Sequence, residues 1–151
     1  MVSEKQRQIL DQLRDGACVP RLSTLSQNLD IPSSTIKYNI EQLKDSEAIL
    51  DYTVVTDPSK LGYEYEGYVL INLSDEAYND PEHVAEGLAE RELIESVAIV
   101  TGDYELLLRV RERSMNDYFD LLKTVMENNP IRDVKTISCL DVVKHRGKRR
   151  P

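Results

Sequence analysis

Cysteine and histidine are nearly absent from this 151-residue chain, which has two of each. Cys18 and Cys139 stand far apart, so neither a disulfide framework nor a zinc knuckle is supported. They read as buried or half-buried free thiols. His83 and His145 form no metal spacing, and no nucleophile motif or phosphate loop accompanies them. An enzyme is therefore not expected, nor is a cofactor. No apolar run approaches the ~20 residues of a membrane span. Met1–Gln12 is mostly polar, unlike a signal peptide. The expected location is the cytoplasm, with no membrane partner. Positive charge is also scarce, with 19 Lys and Arg against 27 Asp and Glu, a net charge of −8.

Hydrophobic residues make up 40 % of the chain, enough for a packed core. The charges are unevenly spread. Residues 1–57 carry 6 basic and 9 acidic side chains, and residues 58–143 carry 8 and 18. The tail 144–151, KHRGKRRP, has 5 basic side chains and no acidic ones, and such an arm can hold phosphate without specificity.

Leu22–Lys44, LSTLSQNLDIPSSTIKYNIEQLK, reads as two short helices around a tight turn. Leu25 and Leu29 mark the inner stripe of the first helix. Asp30, Ile31 and Pro32 interrupt the period, and Ile36, Ile40 and Leu43 resume it. This is a helix-turn-helix pattern, whose second helix carries base readout. Ser34, Lys37, Tyr38, Glu41 and Gln42 fall on the opposite side, with Thr35 and Asn39 on the flanks. Hydroxyls, an ammonium and carboxamides on one helix face can read base edges in a major groove. Before this pair, Ser3-Glu4-Lys5-Gln6 is a capping box for a helix burying Ile9, Leu10 and Leu13 and stopping near Gly16. Ser23 is the expected N-cap of the second helix.

Ala48–Asp57 is a β-rich run, read as a linking strand. Beyond it the chain alternates. Tyr65–Leu73 is a strand with Tyr65, Val69, Ile71 and Leu73 on one face and Tyr68 and Leu70 on the other. Asp80-Pro81 opens a helix burying Val84, Ala85, Leu88 and Ala89. Ser96–Thr101 and Tyr104–Arg111 form a hairpin around Gly102-Asp103. Ser114 to Asp117 is a second capping box, and its helix is expected to bury Met115, Phe119, Leu122 and Met126. Ile131–Val143 closes the set. The order βαββαβ is the ferredoxin-like split arrangement, four antiparallel strands with two helices on one face. The helix-free face needs a partner, and a second copy of the chain is expected to supply it. The fold class is α+β. The expected divisions are a helix-turn-helix domain at 1–49, a linking strand and hinge at 50–62, the βαββαβ domain at 63–143 and the basic tail at 144–151.

This layout resembles the Lrp/AsnC family, the feast/famine transcription regulators. Ser33-Ser34-Thr35-Ile36 is similar to its recognition-helix start. Thr56-Asp57-Pro58-Ser59-Lys60-Leu61-Gly62-Tyr63 resembles its linker, and Thr101-Gly102-Asp103-Tyr104-Glu105-Leu106-Leu107-Leu108 its hairpin. The resemblance implies an N-terminal domain that binds double-stranded DNA through Ser34, Thr35, Lys37, Tyr38, Asn39 and Gln42. It also implies an ACT-related C-terminal domain that dimerises through its sheet and assembles to tetramers or octamers. A small effector, an amino acid, is implied between subunits near Thr101, Gly102, Asp103, Tyr104 and Glu105, with Thr136 and Ser138 helping to hold a carboxylate. The chain departs from the family where Tyr38, Asn39 and Glu41 replace basic or neutral residues, which means fewer phosphate contacts. Two other readings stand beside the regulator: an assembly partner with little DNA affinity, and a tetrapyrrole decarboxylase-like enzyme.

Overall fold

The computed structural model describes residues 3–12, 19–145 and 148–149. The chain separates into two compact units, 1–56 and 57–151.

The first unit contains α1 (Glu4–Gln12), α2 (Leu22–Leu29) and α3 (Ser33–Asp45). The first capping box forms as expected: Gln6 N–H donates to Ser3 Oγ at 3.3 Å, and Ser3 N–H donates to Gln6 Oε1 at 2.7 Å. Ile9 is nevertheless exposed. A nine-residue helix makes about two and a half turns, so few of its apolar positions can face inward together. Leu13, Gly16 and Cys18 lie outside the described residues. Helix α2 is capped two residues earlier than the sequence pattern implies, with Arg21 rather than Ser23 at the N-cap and no side-chain cap. The turn to α3 is built by Asp30, which adopts a left-handed φ of 54°. Ser26 ties the turn down: its Oγ–H donates to Ile31 O at 2.7 Å. Pro32 sits at the N-cap of α3, and Ile36 is its buried residue.

No strand forms over 48–57. A run rich in β-formers becomes a strand only when a neighbour takes its backbone hydrogen bonds, and among the described residues no strand pairs with it. The segment instead ends in a short 3-10 turn, Pro58–Leu61, where Asp57 accepts from Ser59 N–H at 3.0 Å. Gly62 closes the turn at φ +85°, in the left-handed region that favours glycine.

The second unit is β1 (Tyr65–Leu73), α4 (Pro81–Ala89), β2 (Ile94–Ile99), β3 (Leu106–Glu112), α5 (Met115–Asn128) and β4 (Ile131–Ser138). The sheet order is β2-β3-β1-β4, antiparallel throughout. β1 has the expected bounds, and its burial alternates residue by residue. The hairpin strands sit one or two residues from their expected positions, and β4 stops at Ser138 rather than Val143. Beyond it, β5 (Lys144–His145) pairs with β6 (Lys148–Arg149), and the rest of the basic tail lies outside the described residues. Both expected caps form: Asp80 accepts from His83 N–H, and Ser114 Oγ accepts from Asp117 N–H. Ala89 is exposed, while Val84, Ala85 and Leu88 are buried.

Helix α5 is rotated relative to its expected setting. Tyr118 and Val125 are its buried residues, whereas Met115, Phe119 and Met126 are largely exposed and Leu122 half-buried. The cause is the Tyr118 ring, which stacks on Tyr65 with centroids 4.4 Å apart and shares a hydrogen bond with Thr136. A tyrosine whose hydroxyl is satisfied buries like any aromatic.

Candidate nucleic-acid interface and effector turn

On α3, Ser34, Thr35, Lys37, Tyr38, Asn39 and Gln42 are all exposed. The fold holds them through Ile36, the buried residue beneath that face. Three neighbours constrain what they present. Asn39 Nδ2 donates to Thr35 O at 2.8 Å, so one amide hydrogen is turned back on the helix. Lys37 Nζ lies 3.9 Å from Glu41, four residues on. Lys44 lies over the Tyr52 ring, 4.9 Å from its centroid. Ser34, Tyr38 and Gln42 follow one another at four-residue spacing, a single stripe along the helix.

In the second unit, the 101–105 turn joins β2 to β3. Val100 N–H donates to Glu105 O at 2.8 Å and closes it. Gly102 has φ +126°, and a side chain there would be strained by the backbone alone. Thr101, Gly102 and Asp103 are exposed, and Tyr104 is half-buried. Glu105 is partly committed: its Oε2 accepts from Leu73 N–H at 2.8 Å, which fastens the hairpin to the end of β1. Thr136 and Ser138 are not at this turn. They lie on β4, across β1 from β3, which is two strand spacings or about 10 Å away. Their hydroxyls are bonded to tyrosines, Thr136 to Tyr118 and Ser138 to Tyr65 at 3.1 Å. Burial raises the Tyr118 pKa above its usual value, so its phenol stays protonated at neutral pH.

Gly67 belongs to this network. A Cβ there would meet Tyr65 Oη at 2.7 Å and Ile137 O at 3.0 Å. The glycine leaves the space the tyrosine hydroxyl fills.

The helix-free face of the sheet carries a feature the sequence reading missed. Arg109 and Arg111 interlock with Glu66 and Glu95 in a four-membered ion-pair cluster. These side chains keep between 10 and 18 % of their exposure. The signal was available as two arginines at i, i+2 on one strand, which share a face. Cys139 lies nearby, its backbone N–H donating to Glu66 O at 2.8 Å. Burial, with Glu66 second, raises its thiol pKa.

The Lrp/AsnC ligand-binding domain matches residues 66–149, more than half of the chain. The chain belongs to the Lrp/AsnC family. Its relatives include the HTH-type transcriptional regulator FL11 of Pyrococcus horikoshii, 28 % identical over 82 % of each chain. Transcriptional regulator AzlB of Bacillus subtilis is 25 % identical over 90 % of this chain and 87 % of its own. Among solved structures, E. coli AsnC superposes with a TM-score of 0.72 at 20 % identity, covering 97 % of both chains. A feast or famine regulatory protein from M. tuberculosis, complexed with L-methionine, superposes at 0.76 with 21 % identity over 87 % of both. As a member of the Lrp/AsnC family, this chain is a transcription regulator by descent, and its second unit is the ligand-binding domain of that family. No helix among the described residues is long and apolar enough to cross a membrane.

Proposed function

We propose that this protein is a sequence-specific DNA-binding regulator acting in the cytoplasm, with assembly or DNA affinity tuned by an amino acid and no catalytic activity. One observation carries the reading: a helix-turn-helix with six exposed polar side chains on its second helix precedes a matched Lrp/AsnC ligand-binding domain in the same chain. In this reading Lys37, Tyr38 and Gln42 contact DNA, with Ser34, Thr35 and Asn39 beside them. Two copies pair through the helix-free sheet faces and present two recognition helices to successive major grooves about 34 Å apart. The effector sits at Thr101, Gly102, Asp103, Tyr104 and Glu105. Asp103 and the free oxygen of Glu105 accept from its ammonium group, and Tyr104 packs on its side chain. Thr136 and Ser138 act through the tyrosines that hold them. The solved M. tuberculosis relative with L-methionine supports an amino acid as the ligand class.

Two measurements test this. In gel shifts on the promoter of its own gene, alanine at Lys37, Tyr38 and Gln42 is expected to weaken binding, and unchanged binding in all three variants sinks the interface. In a thermal-shift screen of the twenty amino acids, at least one is expected to raise the melting temperature, because a ligand bound to the folded state alone stabilises it.

A second reading, an assembly partner with weak DNA affinity, draws on the engagement of both lysines of α3, Lys37 by Glu41 and Lys44 by Tyr52. Salt separates the two. A regulator binds at low salt and loses affinity steeply as salt rises, whereas a partner shows no binding at low salt.

A further inference from the structure

The helix-turn-helix is poorly supplied with positive charge. Helix α2 carries no charged residue, and α3 sets its two lysines against Glu41 and Asp45. Glu41 stands 3.9 Å from Lys37, and Lys44 lies over the Tyr52 ring, so both lysines already have a neighbour within the protein. A duplex presents one negative charge per about 1.7 Å of its axis, and affinity for it grows with the phosphates that Lys and Arg neutralise. A net charge of −8 works against the approach of the chain as a whole.

The cations that α3 lacks are gathered in the basic tail. Lys144, Arg146, Lys148, Arg149 and Arg150 stand together with no carboxylate among them, whereas residues 58–143 carry 8 basic and 18 acidic side chains. The chain leaves the sheet before it reaches them: β4 stops at Ser138, and Leu140 and Val143 are exposed. β5 and β6 then form a two-stranded sheet of their own, separate from the four-stranded one. Its register sets Lys144 opposite Arg149 and His145 opposite Lys148. Like charges directly opposite weaken a strand pair, and an isolated hairpin is marginal to begin with. A polyanion set against it removes that repulsion.

We propose that the basic tail is a second DNA contact, which grips phosphates without reading sequence and supplies the salt-dependent affinity that α3 lacks. The recognition helix chooses the site and the tail holds the duplex. A duplex suits the tail better than an acidic protein surface does. Protein surfaces intersperse charges of both signs, and the tail has no carboxylate to match the positive ones. The proposal rests on the DNA-binding reading above and names where most of the phosphate contact is made.

Binding of the full chain to two labelled duplexes tests it: the promoter of its own gene and an unrelated sequence of equal length, each followed from low to high salt. One variant carries Lys144→Gln, Arg146→Gln, Lys148→Gln, Arg149→Gln and Arg150→Gln. A second exchanges Lys for Arg and Arg for Lys at the same positions and keeps the charge. Five phosphate contacts contribute about −4.5 to the slope of log affinity against log salt, so over a fourfold rise in salt wild type is expected to lose about 500-fold more affinity than the glutamine variant. At low salt the glutamine variant should bind both duplexes more weakly by the same factor, and the exchange variant should match wild type. An unchanged slope in the glutamine variant overturns the proposal and leaves the DNA-binding reading standing. A loss confined to the promoter overturns it by making the tail a reader of sequence. Tighter binding overturns it by showing the tail held by carboxylates of the protein itself. A glutamine variant that melts well below wild type overturns it by making the tail part of the fold. A wild type that binds neither duplex at low salt fails both readings together.

Discussion

The two units of this chain use their apolar residues in opposite ways. In 57–151, fourteen buried side chains form one cluster between the sheet and its helices, with Ile71, Leu73, Leu88 and Leu106 fully enclosed. In 1–56, Ile36 is the buried hydrophobic residue among those described, and Leu29 and Leu43 remain exposed. A small helical unit gains little from burial and is marginal by itself. The lesson is a division of labour. Stability resides in the ligand-binding domain, and the helical unit spends its surface on polar side chains that face outward. The contrast predicts that equivalent truncations cost very different amounts in the two halves.

The largest expected effect is in the sheet. Leu106→Ala leaves a cavity at a fully enclosed position and should cost about 3 kcal/mol or more. Scanning calorimetry checks it, and a loss under ~1 kcal/mol would break the claim that this core carries the fold. Next comes Ile36→Ala, expected to cost about 2 kcal/mol but in the helical unit alone. Hydrogen exchange should show faster opening of α2 and α3, with protection of β1 and β3 unchanged. Loss of protection throughout the chain would mean that the two units unfold together. Gly67→Ala should follow at roughly 1–2 kcal/mol, because the added methyl displaces the Tyr65 hydroxyl from beside Ser138. Chemical denaturation measures it, and a neutral result would show that Tyr65 moves freely. Tyr118→Phe should cost about 1 kcal/mol, the net worth of its hydrogen bond to Thr136.

Much of this fold is legible in the amino-acid sequence. Alternation gave β1 to the residue, since a half-covered strand must place Tyr65, Val69, Ile71 and Leu73 on one side. Ser3, Asp80 and Ser114 announced their helices because orphan backbone donors need an acceptor nearby. What could not be read depends on contacts remote in sequence. Tyr118 was not among the residues expected to be buried, and its partners Thr136 and Tyr65 lie 18 and 53 positions away. That pairing turned α5 and left Phe119 outside. The same pairing changed the meaning of the β4 hydroxyls, which local spacing presents as free. Residues 48–57 show the complementary limit, for β propensity names no neighbour. The candidate site was legible as motifs, Ser34 to Gln42 and Thr101 to Glu105. That Asn39 bonds to Thr35 and Glu105 to Leu73 is visible only in three dimensions.

The smallest prediction sharpens the contrast from the other direction, by improving the strong half. Glu112 ends β3 at 4 % exposure. Burial raises its pKa, Asp117 adds to that, and the Arg113 backbone N–H and charge offset it only in part. A carboxyl that holds its proton more tightly in the fold than in the unfolded chain weakens the fold wherever it is ionised. The penalty is complete above the raised folded pKa and disappears below the unfolded value of 4.5. Glu112→Gln keeps the shape and removes the charge, so it should raise the melting temperature by roughly 2 °C at pH 7. That gain should shrink as pH falls through the acid range and vanish near pH 4. A gain that persists at acid pH would trace to packing rather than ionisation. A loss at pH 7 would mean that the Arg113 contact outweighs burial.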